Sequence, residues 1–447
     1  MLVALGLVVA SPSATASPSA GTATITSEAD WILSSQLHDG AIAVWPDRPE
    51  LRLVWPYLAN YAAMGLAEAT SVTGDGTYAD HAWAYLRWYS SVEEPGTGYV
   101  TDYTIVNGTT PVSEGHMDST DAYAGTFLAA AWDTYAATQD LSQLEAIASG
   151  IAGAVHAIAT TQQPDGLTWA LPTYPVAYLM DNAEVYGGLV AAARLEEALG
   201  NATAAAADVH RAELSRQGIA SLWDPRTGAY DWARQVNGWQ HPTSWNTFYP
   251  DAMEQVWAAA WDAVPASRGA YLLGRFARAH PNWSDPTSTA LFLNGASLKS
   301  GTVGYWPMAA TAFNQVGGAA KADSSAHTIL SAAAAVNYAW PYTTADAGQE
   351  IMSLAGATAL APVPSPTGYP FTDGPHHGHA GAAASPSPGS SGPIPVTTAS
   401  LVVRLFEESP GRSFLTCRMM MPCSKSIWPA GESAATATLL AAVQSGS

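Results

Sequence analysis

Basic residues and cysteines are scarce in this 447-residue sequence. It has 17 Lys and Arg against 37 Asp and Glu, a formal net charge of -20, and two cysteines, Cys417 and Cys423. So few cations offer a phosphate backbone little binding surface, which argues against nucleic acid as a partner. Because both cysteines lie near the C terminus, the preceding residues hold no disulfide and no thiolate metal site. This excludes zinc-dependent cyclases built on helical toroids, and we expect no cofactor and no metal.

Apolar runs long enough to cross a membrane are also missing. The run Leu2–Ala10 is too short for a bilayer and is followed by small residues. It predicts a signal peptide over residues 1–21 and a secreted protein. No positive charge precedes the run, so a disordered apolar leader is the alternative.

The C-terminal part differs in composition from the rest. Residues 363–397 are rich in Pro, Ser, Gly and His and are typical of a linker. Residues 398–447 have no clear pattern and are expected to be a disordered or frameshifted tail. His376, His377 and His379 lie in the linker, where an adventitious cluster is favoured over a metal site.

Between these ends, the spacing of apolar residues is that of amphipathic helices. It predicts twelve helices near residues 27–37, 56–72, 77–91, 118–138, 141–161, 181–199, 203–221, 250–263, 266–279, 304–316, 320–334 and 347–360.

Short and long connections alternate between the predicted helices. Five tight turns follow residues 72, 138, 199, 263 and 316, and each is separated from the next by a longer segment. Tight turns make antiparallel hairpins, so every long segment emerges at the same end of the assembly. The segments Gln36–Gly40 and Gln163–Gly166 echo each other, which indicates a repeat. The prediction is an all-α (α/α)6 toroid of six helical hairpins over residues 22–362, with function at its loop-rich end.

Three predicted inner helices begin with two acidic residues spaced i, i+3. The pairs are Asp118 and Asp121, Asp181 and Glu184, and Asp251 and Glu254. This spacing puts both carboxyl groups on one face of the first turn, beside the central depression. A helix-capping role is the alternative for any single pair. Three pairs crowded in one concavity would instead raise at least one carboxyl pKa, as glycoside hydrolysis requires.

Four stretches resemble the six-hairpin glycosidase superfamily: Trp31–Gly40, Val54–Tyr61, His116–Tyr123 and Met180–Leu189. The resemblance covers about residues 25–360 and implies an (α/α)6 barrel that acts on carbohydrate. Relatives such as unsaturated glucuronyl hydrolases carry a catalytic Asp at the start of an inner helix. Asp118 and Asp181, each preceded by Met, are similar to that placement. The basic residues that bind uronate in those relatives are not recognisable in this sequence.

The resulting hypothesis is cleavage of a glycosidic bond by two carboxyl groups acting as general acid and base. Asp118 and Asp181 are the leading pair, Asp121 and Glu184 are expected to tune them, and Asp251 and Glu254 are held in reserve as substrate-site carboxyls. Further candidates for contact with sugar are His116, Trp55, Tyr57, Tyr123, Tyr186, Trp245 and Trp306.

Two other hypotheses remain open at this stage. A sugar epimerase or polysaccharide lyase on the same scaffold would depend on a base such as His116 or His241. A non-catalytic carbohydrate-binding protein would use the acidic pairs as helix caps alone. Substitution of Asp181 by Asn separates the three, because it should abolish hydrolysis, spare a histidine base and leave binding intact.

Overall fold

The structure, a computed structural model, describes residues 20–45, 53–286, 304–339 and 342–356, with two short strands at 292–293 and 296–297. Within these residues the chain forms thirteen α-helices. They are α1 (Ala20–Ser34), α2 (Pro56–Thr73), α3 (Gly76–Val92), α4 (Thr120–Thr138), α5 (Leu141–Ala146), α6 (Ala148–Thr161), α7 (Leu179–Ala198), α8 (Ala202–Ser221), α9 (Met253–Ala260), α10 (Ala266–Ala279), α11 (Met308–Gln315), α12 (Ala319–Ala335) and α13 (Thr344–Ala355). Residues 1–19 of the predicted signal peptide, and the whole of the predicted linker and tail, lie outside the described residues, while residues 20 and 21 begin α1.

Ten short strands lie in the long segments between helices. They are β1 (Leu53–Val54), β2 (Tyr103–Val106), β3 (Thr110–Ser113), β4 (Val176–Tyr178), β5 (Trp223–Asp224), β6 (Ala229–Tyr230), β7 (Ala233–Gln235), β8 (Gln240–His241), β9 (Phe292–Leu293) and β10 (Ala296–Ser297). They pair antiparallel into four small sheets, ordered β1-β2-β3, β4-β7-β8, β5-β6 and β10-β9.

The helices form two concentric rings. Helices α2, α4, α7, α9, α11 and α13 each pack against the next, and α13 packs back against α2, so the inner ring is closed. Helices α1, α3, α5 with α6, α8, α10 and α12 pack on the outside of this ring. The predicted toroid of six helical hairpins is therefore confirmed.

Close backbone contact and hydrogen bonds join the first and last hairpins. A Cβ on Gly65 of α2 would clash with the backbone of Gly348 on α13, so the two helices meet at glycines. Near the loop-rich end, the Thr344 amide donates to Val44 O at 3.1 Å and the Trp45 indole donates to Tyr342 O at 2.9 Å. The ring closes within residues 20–356.

Short turns carry the chain from each inner helix to the outer helix that follows. Helix α2 begins with Pro56 and is capped after Thr73 by Gly74, whose φ of 73° is the left-handed conformation of many helix ends. Asp75 then caps α3 by accepting a hydrogen bond from the Thr77 amide, and Asp140 caps α5 in the same way. The inner helices consequently all begin at the loop-rich end.

Many helix boundaries differ from the prediction by a few residues, and three differences change an element more. Helix α1 begins seven residues earlier than predicted, because Ile25 continues the buried spacing of Ala29 and Ile32. The predicted helix 141–161 is interrupted at Ile147, which has φ -110° and ψ 8° and divides it into α5 and α6. Before α9, residues Phe248–Ala252 form a π-helical turn.

The two echoed segments make equivalent hydrogen bonds between outer helices, although the counterpart of Gln36 is Gln162, one residue before the Gln163 that the sequence comparison paired with it. The Gln36 amide donates to Gly40 O and to His81 O of α3, both at 2.9 Å. The Gln162 amide donates to Gly166 O and to Arg211 O of α8, at 3.3 and 3.2 Å. The repeat thus has a structural cause, in which each turn holds the next outer helix.

Across the part of the chain that the structure describes, no helix is both long and apolar enough to traverse a bilayer.

Candidate active site

The loop-rich end of the toroid brings together the first turns of α4, α7 and α9, where the predicted acidic pairs lie. Each inner helix points its N-terminus at this end, so its free backbone N–H groups and positive dipole end favour carboxylates there. Hydrogen bonds fix the starts of α4 and α9 relative to the start of α7.

Asp121 lies in a buried network at the start of α4. Its carboxylate accepts hydrogen bonds from Ser119 Oγ at 2.6 Å, the Ala122 amide at 2.9 Å and Thr168 Oγ1 at 2.6 Å. The Thr168 amide in turn donates to Asn182 Oδ1 on α7 at 2.7 Å. Asp121 is fully buried, so it joins the starts of α4 and α7 from within the protein.

Asp118 lies in the turn before α4 and is partly exposed. Near it, Tyr123 donates a hydrogen bond to Asp102 Oδ1 at 2.8 Å. Burial raises the pKa of Asp102 well above its usual range, the Tyr123 hydroxyl opposes this, and the charges of Asp118 and Glu114 add to it. A carboxyl that favours its protonated form therefore lies beside the ionisable Asp118.

Asp102 is absent from the sequence-based candidates. It precedes β2 in a long segment, and no spacing in the sequence connects it with α4. Its backbone binds the segment before α4, since its amide donates to His116 O and its carbonyl accepts from the Glu114 amide, both at 2.8 Å. The His116 ring lies with Nε2 3.4 Å from Glu114 Oε2, so both side chains line the same edge of the site.

Asp181 and Glu184 lie in the first two turns of α7. Asp181 is 5% exposed and Glu184 is fully buried. Glu184 Oε1 accepts three hydrogen bonds, from the hydroxyls of Tyr57 at 2.6 Å and Tyr61 at 2.5 Å and from the Trp257 indole at 2.9 Å. Its Oε2 has no hydrogen-bond partner among the described residues.

The buried position of Glu184 controls its protonation. Burial raises the pKa of Glu184 to about 8, although the three donors act in the opposite direction, and the charge of Asp121 adds a smaller upward effect. Asp121 and Glu184, the second members of two acidic pairs, are therefore electrostatically coupled.

The third acidic pair connects α9 with α7. Glu254 Oε2 accepts a hydrogen bond from the Met180 amide at 2.9 Å, next to Asp181. Asp251, in the π-helical turn, accepts one from the Ser244 amide at 2.6 Å, and burial raises the pKa of Asp251 to about 6. Both residues thus bind backbone amides at the loop-rich end.

Helix α13, a fourth inner helix, also carries acidic residues in its first turns. The Thr343 hydroxyl accepts a hydrogen bond from the Asp346 amide while the Asp346 carboxylate accepts from the Thr343 amide, forming a capping box at α13. One turn later, Glu350 is fully buried, and its pKa is raised well above the usual range by burial and by the charges of Glu28 and Asp346. The Thr343–Asp346 pattern could have been found from sequence, but the predicted helix starts after it.

The predicted aromatic contacts divide into two groups. Tyr57 stacks on Tyr123 with ring centroids 5.8 Å apart, and Trp55 contacts Trp45 at 6.3 Å. Trp306 is 4% exposed and packs on neighbouring rings. These residues lie on or beside the inner helices.

Tyr186 and Trp245 face the outer ring. Burial raises the pKa of Tyr186 to about 12, and smaller effects come from the charges of Asp262 after α9 and of Arg216 and Glu213 on α8. Trp245 stacks under Arg275 of α10 with the guanidinium 4.7 Å from the ring centroid. Both side chains thus lie near charged groups of outer helices, α8 for Tyr186 and α10 for Trp245.

Among the described residues, no group of three or more His, Asp or Glu side chains has a metal-binding arrangement. His376, His377 and His379 lie outside those residues.

Comparisons with known proteins support the architecture. No protein-family model matches the chain, and no curated protein is similar in sequence. A solved structure titled "Glycosidase Wild Type" matches with a TM-score of 0.54 and 15% identity over 76% of this chain and 98% of that one. The GH63 mannosylglycerate hydrolase from Thermus thermophilus, in complex with glucose, matches with a TM-score of 0.52 and 12% identity over 74% of this chain and 99% of that one. The chain thus shares the six-hairpin (α/α)6 fold of these solved structures.

Proposed function

We propose that this protein is a secreted glycoside hydrolase that cleaves an oligo- or polysaccharide with two carboxyl groups. The main support is that carboxyl groups of α4, α7 and α9 connect neighbouring inner helices at the loop-rich end. Asp121 is joined to α7 through Thr168, Glu184 accepts from Trp257 of α9, and Glu254 accepts from the Met180 amide of α7. The fold, shared with solved glycosidases, makes glycosidic cleavage the reaction class to test first. For secretion, the support is the short apolar segment over residues 2–10.

Asp118 and Asp181 are the proposed acid and base. One protonated carboxyl donates its proton to the oxygen of the leaving sugar as the bond from that oxygen to the anomeric carbon breaks. The other, ionised, accepts a proton from the water whose oxygen forms the new bond to the same carbon. The products are two shorter sugars with one water added between them.

The other carboxyl groups have supporting roles. Asp121 is occupied by three donors and is fully buried, which suits a positioning residue that holds α4 against α7. Asp102 favours its protonated form, and the charge of Asp118 contributes to raising its pKa. Glu184 has the same relation to Asp121.

The test is incubation of the full chain with a panel of defined oligosaccharides, followed by mass spectrometry of the products. We expect products that together are heavier than the substrate by one water. Cleavage products whose masses sum to that of the substrate, one of them lighter by one water than the hydrolysis product, would identify a lyase. An uncleaved isomer of unchanged mass would identify an epimerase, and either result would overturn the proposal. Absence of turnover by folded protein across the panel would favour a binding protein.

A further inference from the structure

Two of the long segments form a small sheet beside the start of α7. Strand β4 precedes α7 directly, and β7 and β8 come from the segment before α9, with Tyr178 opposite Ala233 and Ala233 opposite His241. The Leu179 amide, the first of α7, donates to Trp232 O at 3.0 Å. The sheet is thus attached to the helix turn that carries Asp181.

A row of rings runs along this sheet from solvent toward α7. Trp239 is 42% exposed, at the tip of the β7-β8 hairpin, where Gly238 has φ 80°. His241 lies between Trp239 and Trp232, with ring centroids 4.1 and 4.7 Å away. Trp232, partly exposed, stacks on Tyr178 at 6.1 Å. We call Trp239, His241, Trp232 and Tyr178 the aromatic strip.

The two tryptophan rings are held in place before any ligand arrives. His241 is 9% exposed, and burial lowers its pKa, so the imidazole that separates the tryptophans is uncharged at neutral pH. Its Nε2 lies 3.2 Å from Gln235 Nε2, which fixes the ring further. A rigid aromatic surface loses little conformational entropy when it binds a ligand.

The charges around the strip suit a neutral ligand. Arg234, on β7, forms an ion pair with Asp165, so its charge is neutralised within the protein. The whole chain carries a net charge of -20, which disfavours an anionic ligand. Flat aromatic faces with polar edges suit sugar rings, which present C–H groups on their faces and hydroxyls on their rims.

We propose that the aromatic strip binds the part of a neutral oligo- or polysaccharide that extends away from the bond to be cleaved. This rests on the proposed function, because the strip ends at the α7 turn that carries Asp181. The substrate is accordingly a chain long enough to reach from Asp181 to Trp239, and short glycosides leave the strip empty.

Binding is tested separately from turnover, by affinity electrophoresis of the full chain through gels containing amylopectin, laminarin, xyloglucan, galactomannan or dextran. We expect at least one polysaccharide to retard the wild-type protein and Trp239→Ala to weaken that binding about tenfold. Tyr271→Ala is the matched control, since Tyr271 is 43% exposed but lies on outer helix α10. Circular dichroism verifies folding, and light scattering measures the association state of each variant.

The outcomes separate this inference from the proposed function. Weaker binding by Trp239→Ala alone, with hydrolysis of short glycosides unchanged, supports both. Weaker binding by Trp239→Ala, with no hydrolysis by wild type or variants, supports the aromatic strip as a binding surface and overturns the proposed hydrolase activity. Three results would overturn the proposal that the aromatic strip binds polysaccharide. They are equal retardation of wild type, Trp239→Ala and Tyr271→Ala, no retardation of the wild type, and a Trp239→Ala effect that reflects only a change in self-association.

Discussion

The protonation of Glu184 gives a quantitative test of the inner ring. Burial raises the pKa of Glu184 from its usual 4.5 to about 8. Between these pH values the folded protein keeps a proton that the unfolded chain releases, so the free energy of unfolding falls as pH rises. One such group contributes a fall of about 5 kcal/mol over this range, complete once pH exceeds 8.

Glu184→Gln removes this titration while conserving the size of the side chain. An amide oxygen still accepts from Tyr57, Tyr61 and Trp257, although the amide NH₂ now occupies the position of Oε2. That buried donor costs about 1–3 kcal/mol at every pH and so shifts the whole curve without changing its slope. Relative to wild type, the variant should therefore become more stable as pH rises, by about 1.4 kcal/mol per pH unit.

The assay is urea denaturation followed by circular dichroism at intervals from pH 4.5 to 8, for wild type and variant in parallel. Other buried carboxyls such as Asp102 and Glu350 are common to both proteins, so the difference between the curves isolates Glu184. Glu145→Gln, on the exposed surface of α5, controls for loss of one negative charge. A difference that is constant with pH, or one that grows in favour of wild type, would refute the argument. It would mean that three donors overcome burial and hold Glu184 ionised.

Two further substitutions test the framework. Gly166 has φ 91°, and a Cβ there would clash with Leu214 O, so Gly166→Ala should lower the free energy of unfolding by about 3 kcal/mol. Gly74 has φ 73° but lies in open space, so Gly74→Ala should lower it by only about 1 kcal/mol. Equal melting temperatures for these two variants would contradict the outer-helix lock. Asp121→Ala leaves three donors without their acceptor and should cost about 2–3 kcal/mol in urea denaturation, with Asp121→Asn less damaging. A wild-type midpoint for Asp121→Ala would rule out the proposed positioning role.

The helical architecture was predictable because it depends on local signals. Apolar spacing and turn residues such as Gly74 and Asp75 act over a few residues, and the alternation of short and long connections specifies a ring. The hairpin of β2 and β3 also had a signal, since Asn107-Gly108, both with positive φ, lies between alternating residues.

Parts of the site could not be predicted because they arise from tertiary contacts. Asp102 is brought to Tyr123 by the way the connection between α3 and α4 folds back on itself, and Glu184 meets Tyr57 and Trp257 across the ring. Acidic spacing identified Glu184 as a candidate but not its partners. Two acidic residues spaced i, i+3 indicate a helix start in both cases, whether their carboxyl groups cap the helix or act on a substrate. The spacing therefore does not distinguish the two roles.

The central claim is that carboxyl groups at the inner-helix starts cleave a glycosidic bond. The most direct measurement is the initial rate of hydrolysis of an accepted oligosaccharide by Asp118→Asn and Asp181→Asn. Asp262→Asn is the control, because Asp262 follows α9 at the opposite end of the toroid and its φ of 51° suits Asn. We predict that each of the first two variants, still folded, loses about 10²- to 10⁴-fold in rate while the control retains wild-type activity. Wild-type rates in both Asp118→Asn and Asp181→Asn would contradict the account.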